Sequence, residues 1–192
     1  ISSCNLDNTI FLKEIAKSNI EVLLSTGMGN IEEVQKAYKI FKNKKKLIIF
    51  QCTSNYPSNL KNSNLNVIKT YKKMFRVPIG FSDHTVGNIS SIVSVAFGAV
   101  AIEKHFTISK KLPGIDQQAS IEPYELLKLS EDIKNAKLTL GSYEKNITSE
   151  EKNTAVALRR SLVASKDIFK GEVLKKSHIS IKRPGNGLSV NN

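Results

Sequence analysis

The chain has 192 residues, 40% apolar and 7% aromatic, enough for one good-sized domain with a packed core. It contains no apolar run near the length of a membrane span, and residues 1–30 show no basic-then-apolar leader; the start at Ile1 instead of Met reads as a piece of a longer chain. The net charge of +12, from 29 Lys and Arg against 17 Asp and Glu, is spread through helical segments, which argues against a nucleic-acid surface and leaves a basic polyanion-binding module as the rival from another class.

Ile1 to Cys4 reads as the end of a strand. Asp7 or Asn8 can cap a helix running to about Ser18, with Ile10, Phe11, Ile15 and Ala16 on one face. A strand is expected over Ile20–Leu24, ending in Ser25-Thr26-Gly27-Met28-Gly29. Asn30 then caps a helix carrying Ile31, Val34, Ala37, Tyr38 and Phe41 at helical spacing. The lysine-rich run from Lys42 to Lys46 falls where this helix should end and complements its dipole. Leu47–Phe50 is the next strand, followed by Gln51-Cys52-Thr53-Ser54-Asn55-Tyr56-Pro57. After it comes a helix with Ile68, Tyr71 and Phe75.

Two similar units follow. Val77–Phe81 leads into Ser82-Asp83-His84-Thr85, and Gly98–Ile102 leads into Glu103-Lys104-His105-Phe106-Thr107. The helix between them carries Ile89, Ile92, Val93, Ala96 and Phe97 on one stripe. A loop through Pro113-Gly114-Ile115-Asp116 reaches Glu122-Pro123, where a proline suits the first helical turn. That helix is expected to bury Leu126, Leu129, Ile133 and Ala136 and to end near Gly141.

Strand–helix alternation over residues 1–141 predicts a parallel α/β sheet. Polar motifs after every strand, with no Gly-rich dinucleotide fingerprint, favour a TIM (β/α)8 barrel over an open sheet. About five βα units cannot close eight staves, so three N-terminal units are expected to be missing. Residues 142–160 read as a linker opening a helix at Ser149-Glu150-Glu151. From residue 161 short strands, Leu162-Val163-Ala164 and Ile179-Ser180-Ile181, surround a Lys170-Gly171 turn beside Val173-Leu174. They read as the start of a small β-rich module over 161–192.

Chemistry concentrates at the strand ends. His84 and His105 follow consecutive strands at equivalent positions. As neutral imidazoles they could ligate one divalent ion, leaving places for water and substrate; each could equally be a satisfied rim residue. Asp83 and Glu103 are candidate acceptors for the imidazole N–H groups, or else caps and ion pairs. Period-two alternation places Glu103 on the face of His105. Ser25-Thr26-Gly27-Met28-Gly29-Asn30 could hold an anion before a helix, or simply cap it. Ser3, Ser54 and Ser82 are further hydroxyls at strand ends. Tyr56 could donate to a polyol, and Arg183, in a Pro/Gly-stiffened turn, could clamp a carboxylate or carbonyl. Two cysteines, Cys4 and Cys52, do not make a secreted framework, so a reduced, cytoplasmic setting is expected.

Six motifs in order resemble the sialic acid synthase family, which includes N-acetylneuraminate, legionaminate and pseudaminate synthases. They are Ser-Thr-Gly-Met at 25–28, Cys-Thr-Ser-Asn-Tyr-Pro at 52–57, Ser-Asp-His-Thr at 82–85, Glu-Lys-His-Phe-Thr at 103–107, Pro-Gly-Ile-Asp at 113–116 and Lys-Arg-Pro-Gly-Asn-Gly at 182–187. The resemblance implies a TIM barrel followed by a small antifreeze-like (SAF) domain. It implies condensation of phosphoenolpyruvate with an N-acetylated hexosamine to a nine-carbon 2-keto acid and phosphate. His84 and His105 would hold a divalent ion, Mn2+ first and Mg2+ or Co2+ as alternatives. Ser3, Ser25 and Ser82 would contact phosphoenolpyruvate, mainly its phosphate, Ser54 would bind substrate, Tyr56 and Asp116 the sugar, and Glu103 would serve the chemistry. Arg183 would enter a partner's site at the N-acetyl group, giving a domain-swapped homodimer. The family's phosphoenolpyruvate-binding Lys and a catalytic Glu would precede Ile1, so the chain alone is expected to be inactive. Asn5 departs from a Glu carried by some members, and Gln117 from a His carried by many. Another metal-dependent keto-acid synthase or aldolase on the same barrel is the nearest rival.

Overall fold

A computed structural model describes residues 1–41 and 46–190, in two compact units, Ile1–Gly141 and Ser142–Asn192. Most of the expected lysine run, residues 42–45, lies outside the described residues.

The first unit holds four parallel strands in the order β1 (Val22–Ser25), β2 (Leu47–Cys52), β3 (Ile79–Asp83) and β4 (Ile102–Lys104). Strictly sequential, parallel neighbours are what consecutive staves of a (β/α) barrel provide. Ile1 extends this pattern: its N–H donates to the Leu23 carbonyl at 2.7 Å and its carbonyl accepts from Ser25 N–H at 3.1 Å, before a 3-10 turn at Ser3–Asn5.

Alternation along the strands sorts the side chains into two faces. Val22, Leu24, Leu47, Ile49, Ile79 and Phe81 face the helices and form the core with Leu12, Val34, Ala37, Phe41, Ile68, Tyr71 and Phe75. Each such aliphatic or aromatic side chain contributes about 1.5–3 kcal/mol on burial. The other face carries Ser25, Phe50, Cys52, Gly80, Ser82 and Glu103. Gly80 is required there, because a Cβ would stand 2.6 Å from the Phe50 ring.

The helices are α1 (Thr9–Lys17), α2 (Ile31–Phe41), α3 (Asn66–Met74), α4 (Ile89–Ala96) and α5 (Pro123–Leu140). Asn8 caps α1 by accepting from Phe11 N–H. Asn30 caps α2 by accepting from Glu32 and Glu33 N–H, while Glu33 returns the bond to Asn30 N–H. Three helical faces differ from expectation. In α1 the inward stripe centres on Leu12, and Ile10 is 83% exposed, because the Leu12/Ile15/Ala16 set is the one turned to the core. In α5 only Leu129 is buried; Leu126 is exposed. In α4 the buried residues are Ser90, Ser91 and Ser94, while Ile89 and Val93 point outward. The serines win that face because a polar cluster lies beneath it, described below.

In the second unit, Thr148 caps α6 (Ser149–Leu158) through a reciprocal box with Glu151, so a helix occupies much of the expected linker. Three antiparallel strands follow in the order β6 (Ile179–Lys182), β5 (Ser161–Ala164), β7 (Leu188–Ser189). Val173 and Leu174 are exposed and lie outside any strand.

Candidate active site

The C-terminal ends of β1 to β4 bring most of the expected site residues to one rim. His84 follows β3 directly, and its carbonyl accepts from Ser58 N–H at 2.8 Å. His105 follows β4, and its carbonyl accepts from Ile121 N–H at 2.8 Å. The two imidazoles meet edge to face, with centroids 5.1 Å apart. The Tyr56 ring lies 4.2 Å from His84 and 5.3 Å from His105. Asp116 Oδ2 stands 3.6 Å from His105 Nδ1.

His84 Nδ1 is 2.8 Å from the Thr53 carbonyl. A carbonyl only accepts, so Nδ1 carries the hydrogen, and in the neutral ring Nε2 keeps its lone pair. That arrangement fits a metal-ligating histidine, whose other nitrogen is fixed by a carbonyl. With His105 at ring-contact distance, two imidazole donors suit an intermediate divalent ion. Among the described residues no group of three His, Cys, Asp or Glu converges on one point.

Cys52 sits within the cluster, its Sγ 3.9 Å from His84 Nδ1 and 3.7 Å from Ser3 Oγ. Burial pushes the Cys52 thiol up, but the bonds with His84 and Ser3 outweigh it and leave the thiol below its ordinary value. Burial likewise pulls His84 down, and its contacts with Cys52 and the Thr53 carbonyl outweigh that, leaving it raised. Burial raises the Tyr56 phenol, with Cys52 reinforcing the shift. Tyr56 therefore stays protonated at neutral pH and can donate.

The serines cluster at the neighbouring strand ends. Ser3 Oγ accepts from Gly27 N–H at 2.9 Å. Ser54 Oγ is buried with no partner at hydrogen-bond geometry among the described residues, although Tyr56 is close enough to feel it. A Cβ on Gly27 would lie 2.2 Å from Ser54 Oγ and 2.9 Å from Ser3 Oγ. Ser25 is buried on the same face at the end of β1. The following Met28 adopts φ 64°, a left-handed conformation that costs a non-glycine residue on the order of 1 kcal/mol or more. Ser82 Oγ donates to Glu103 Oε1 at 2.7 Å, which confirms that Glu103 shares the inner face.

Of the two alternatives for Asp83 the ion pair holds: alternation turns it away from the imidazoles to the opposite face, where it pairs with Lys104. Arg183 is exposed in the turn after β6, on the second unit. Sequence reasoning also passed over Cys52 as a site residue, though its strand position relative to Ser54 marks the inner face. The Thr53 carbonyl carries no side-chain signal at all.

The NeuB family profile matches residues 1–145, and the SAF domain profile matches residues 159–192. The chain belongs to the NeuB family. It is 39% identical to the N,N'-diacetyllegionaminic acid synthase of Campylobacter jejuni over 99% of its own length and 58% of that protein's. It is 35% identical to the enzyme of the same name from Legionella pneumophila, over 98% of this chain and 55% of that one. Among solved structures, the N-acetylneuraminic acid synthetase of Leptospira borgpetersenii, determined in complex with citrate, superposes with a TM-score of 0.75 at 38% identity, covering 80% of this chain and 54% of that one. The NeuB chain described here thus spans a little over half the length of the curated relatives it matches.

Proposed function

We propose that this NeuB-family protein condenses phosphoenolpyruvate with an N-acetylated hexosamine aldehyde to give a nine-carbon 2-keto acid and phosphate, in the cytoplasm. The observation that carries the reading is the meeting of His84 and His105 at 5.1 Å, with the Tyr56 ring tilted against both, on a strand-end rim of a NeuB-family chain.

His84, through Nε2, and His105 would hold a divalent ion, Mn2+ first, with Mg2+ or Co2+ as alternatives. When bound, the ion polarises the sugar carbonyl toward attack by the enol carbon. The protein's own groups do the rest. Tyr56 donates to a sugar hydroxyl, and Asp116, beside His105, accepts from another. The Ser54 hydroxyl and the neighbouring Ser3, Ser25 and Ser82 line the place for the phosphoenolpyruvate anion. Glu103, whose Oε1 already accepts from Ser82, takes the proton of the water that adds at C2 before phosphate leaves. Arg183 is proposed to reach the N-acetyl group from the SAF domain of a second copy, so that the working unit is a homodimer.

Phosphate release by the full gene product tests this. The reading requires that turnover depend on both a divalent ion and an N-acetylhexosamine. Faster turnover with non-acetylated sugars would assign the site to a different keto-acid synthase.

A further inference from the structure

On the reverse side of the sheet from the imidazoles lies a polar cluster that the proposed reaction never touches. Asp83 and Lys104 are direct partners across β3 and β4, and each is the residue immediately before an imidazole. Their side chains are 0% and 3% exposed, with Lys104 Nζ 3.1 Å from Asp83 Oδ2. The carboxylate receives four donors: Thr85 N–H at 2.9 Å and Thr85 Oγ1 at 2.7 Å on Oδ1, then Ser91 Oγ at 2.6 Å and Lys104 Nζ on Oδ2. Lys104 Nζ also donates to the Thr85 carbonyl at 2.8 Å, past the end of β3. This cluster is why α4 turns its serines inward.

A buried ion pair adds little stability over an apolar pair of similar volume, because desolvation offsets the attraction. An apolar pair would hold α4 on the sheet at least as well. What it lacks is direction. Here Lys104 links the β4 end to two successive points of the β3 end, Asp83 and Thr85, and the residue between those points is His84. Any slide or splay of one strand end against the other breaks at least one of these bonds. A slip of one residue would also turn the imidazole to the wrong face.

We propose that Asp83 and Lys104 are positioning residues that set the separation of His84 and His105 by clamping the ends of β3 and β4 from the reverse side of the sheet. The inference rests on the reading of the two imidazoles as ligands of one ion. Removing a group that orients a metal ligand typically costs about 10–100-fold in affinity.

The test measures Mn2+ affinity and the thermal midpoint of the full chain together, for the native protein, Lys104→Met, Asp83→Asn/Lys104→Met and His84→Ala. Lys104→Met leaves a buried carboxylate uncompensated and lowers the midpoint. The double variant removes both charges and recovers much of the midpoint. Both are expected to bind Mn2+ about tenfold more weakly or worse. A folded double variant with native Mn2+ affinity overturns the proposal, since a merely structural pair would move the midpoint alone. Native Mn2+ affinity in His84→Ala would instead remove the ion reading. In that event the imidazole 15N resonances of the ion-free chain decide: displacement of both the His84 and His105 signals in the double variant upholds the clamp, and unmoved signals refute it.

Discussion

Gly80 and Phe50 offer a sharp check on the inner face of the sheet. Gly80 lies two residues before Ser82 on β3, and a Cβ there would stand 2.6, 2.8 and 2.9 Å from three atoms of the Phe50 ring. Phe50 is 2% exposed, so the ring is enclosed by protein. Ordinary contact needs about 3.4 Å or more, so the ring must shift by close to 1 Å. Overpacking of this kind costs roughly 1–3 kcal/mol. The loss of backbone freedom in the unfolded chain returns about 0.4–1 kcal/mol. Gly80→Ala should therefore destabilise by about 1–2 kcal/mol in urea unfolding. In a Phe50→Leu background the clash is gone, and the same substitution should be neutral or stabilising by about 0.5 kcal/mol. The coupling from the double-mutant cycle should then exceed about 1 kcal/mol. Strictly additive effects would show that the two side chains do not meet, and the assignment of faces on β2 and β3 would fall with them.

Gly27→Ala crowds Ser3 and Ser54 together, so the KM for phosphoenolpyruvate should rise roughly tenfold, about 1.4 kcal/mol, with little change for the sugar; equal rises in steady-state assays would separate these serines from the anion. Arg183→Ala should weaken the sugar more than phosphoenolpyruvate, and an equal loss would count against an N-acetyl contact. The bond from Lys110 Nζ, together with Glu122 N–H, holds the Glu125 carboxyl below its ordinary value of 4.5. A depressed carboxyl stabilises the fold above its unfolded pKa and loses that contribution as pH falls through the folded one. Glu125→Gln should accordingly lower the thermal midpoint at about pH 7, and the difference should shrink as the pH is lowered through the depressed folded titration. A difference that persists undiminished at the lower pH would assign the effect to packing.

Much of this organisation was legible in the residues. The strand–helix rhythm marked all four strands, the caps at Asn8 and Asn30 and the Ser149-Glu150-Glu151 run placed helix starts, and two histidines at matching strand ends marked the rim. Helical periodicity identified α4 as a helix but chose the wrong inward face. An aliphatic stripe normally seeks the core, and only the buried Asp83 carboxylate, contributed from β3, makes the serine face the favourable one. The same three-dimensional fact hid the role of Asp83. Its adjacency to His84 in sequence invited a contact, yet a strand sends neighbours to opposite sides. The period-two rule that placed Glu103 beside His105 would have placed Asp83 correctly. The carbonyl of Thr53 could not be anticipated, because a backbone group has no signature in the side-chain pattern.

The central claim is that His84 and His105 share one ion. Pulsed EPR on the Mn2+-loaded chain tests it most directly. The account predicts one tightly held Mn2+ per chain with nitrogen couplings from two imidazoles, reduced to one in either His84→Ala or His105→Ala and accompanied by weaker binding. A bound Mn2+ without imidazole coupling, or one unaffected by both substitutions, would contradict it.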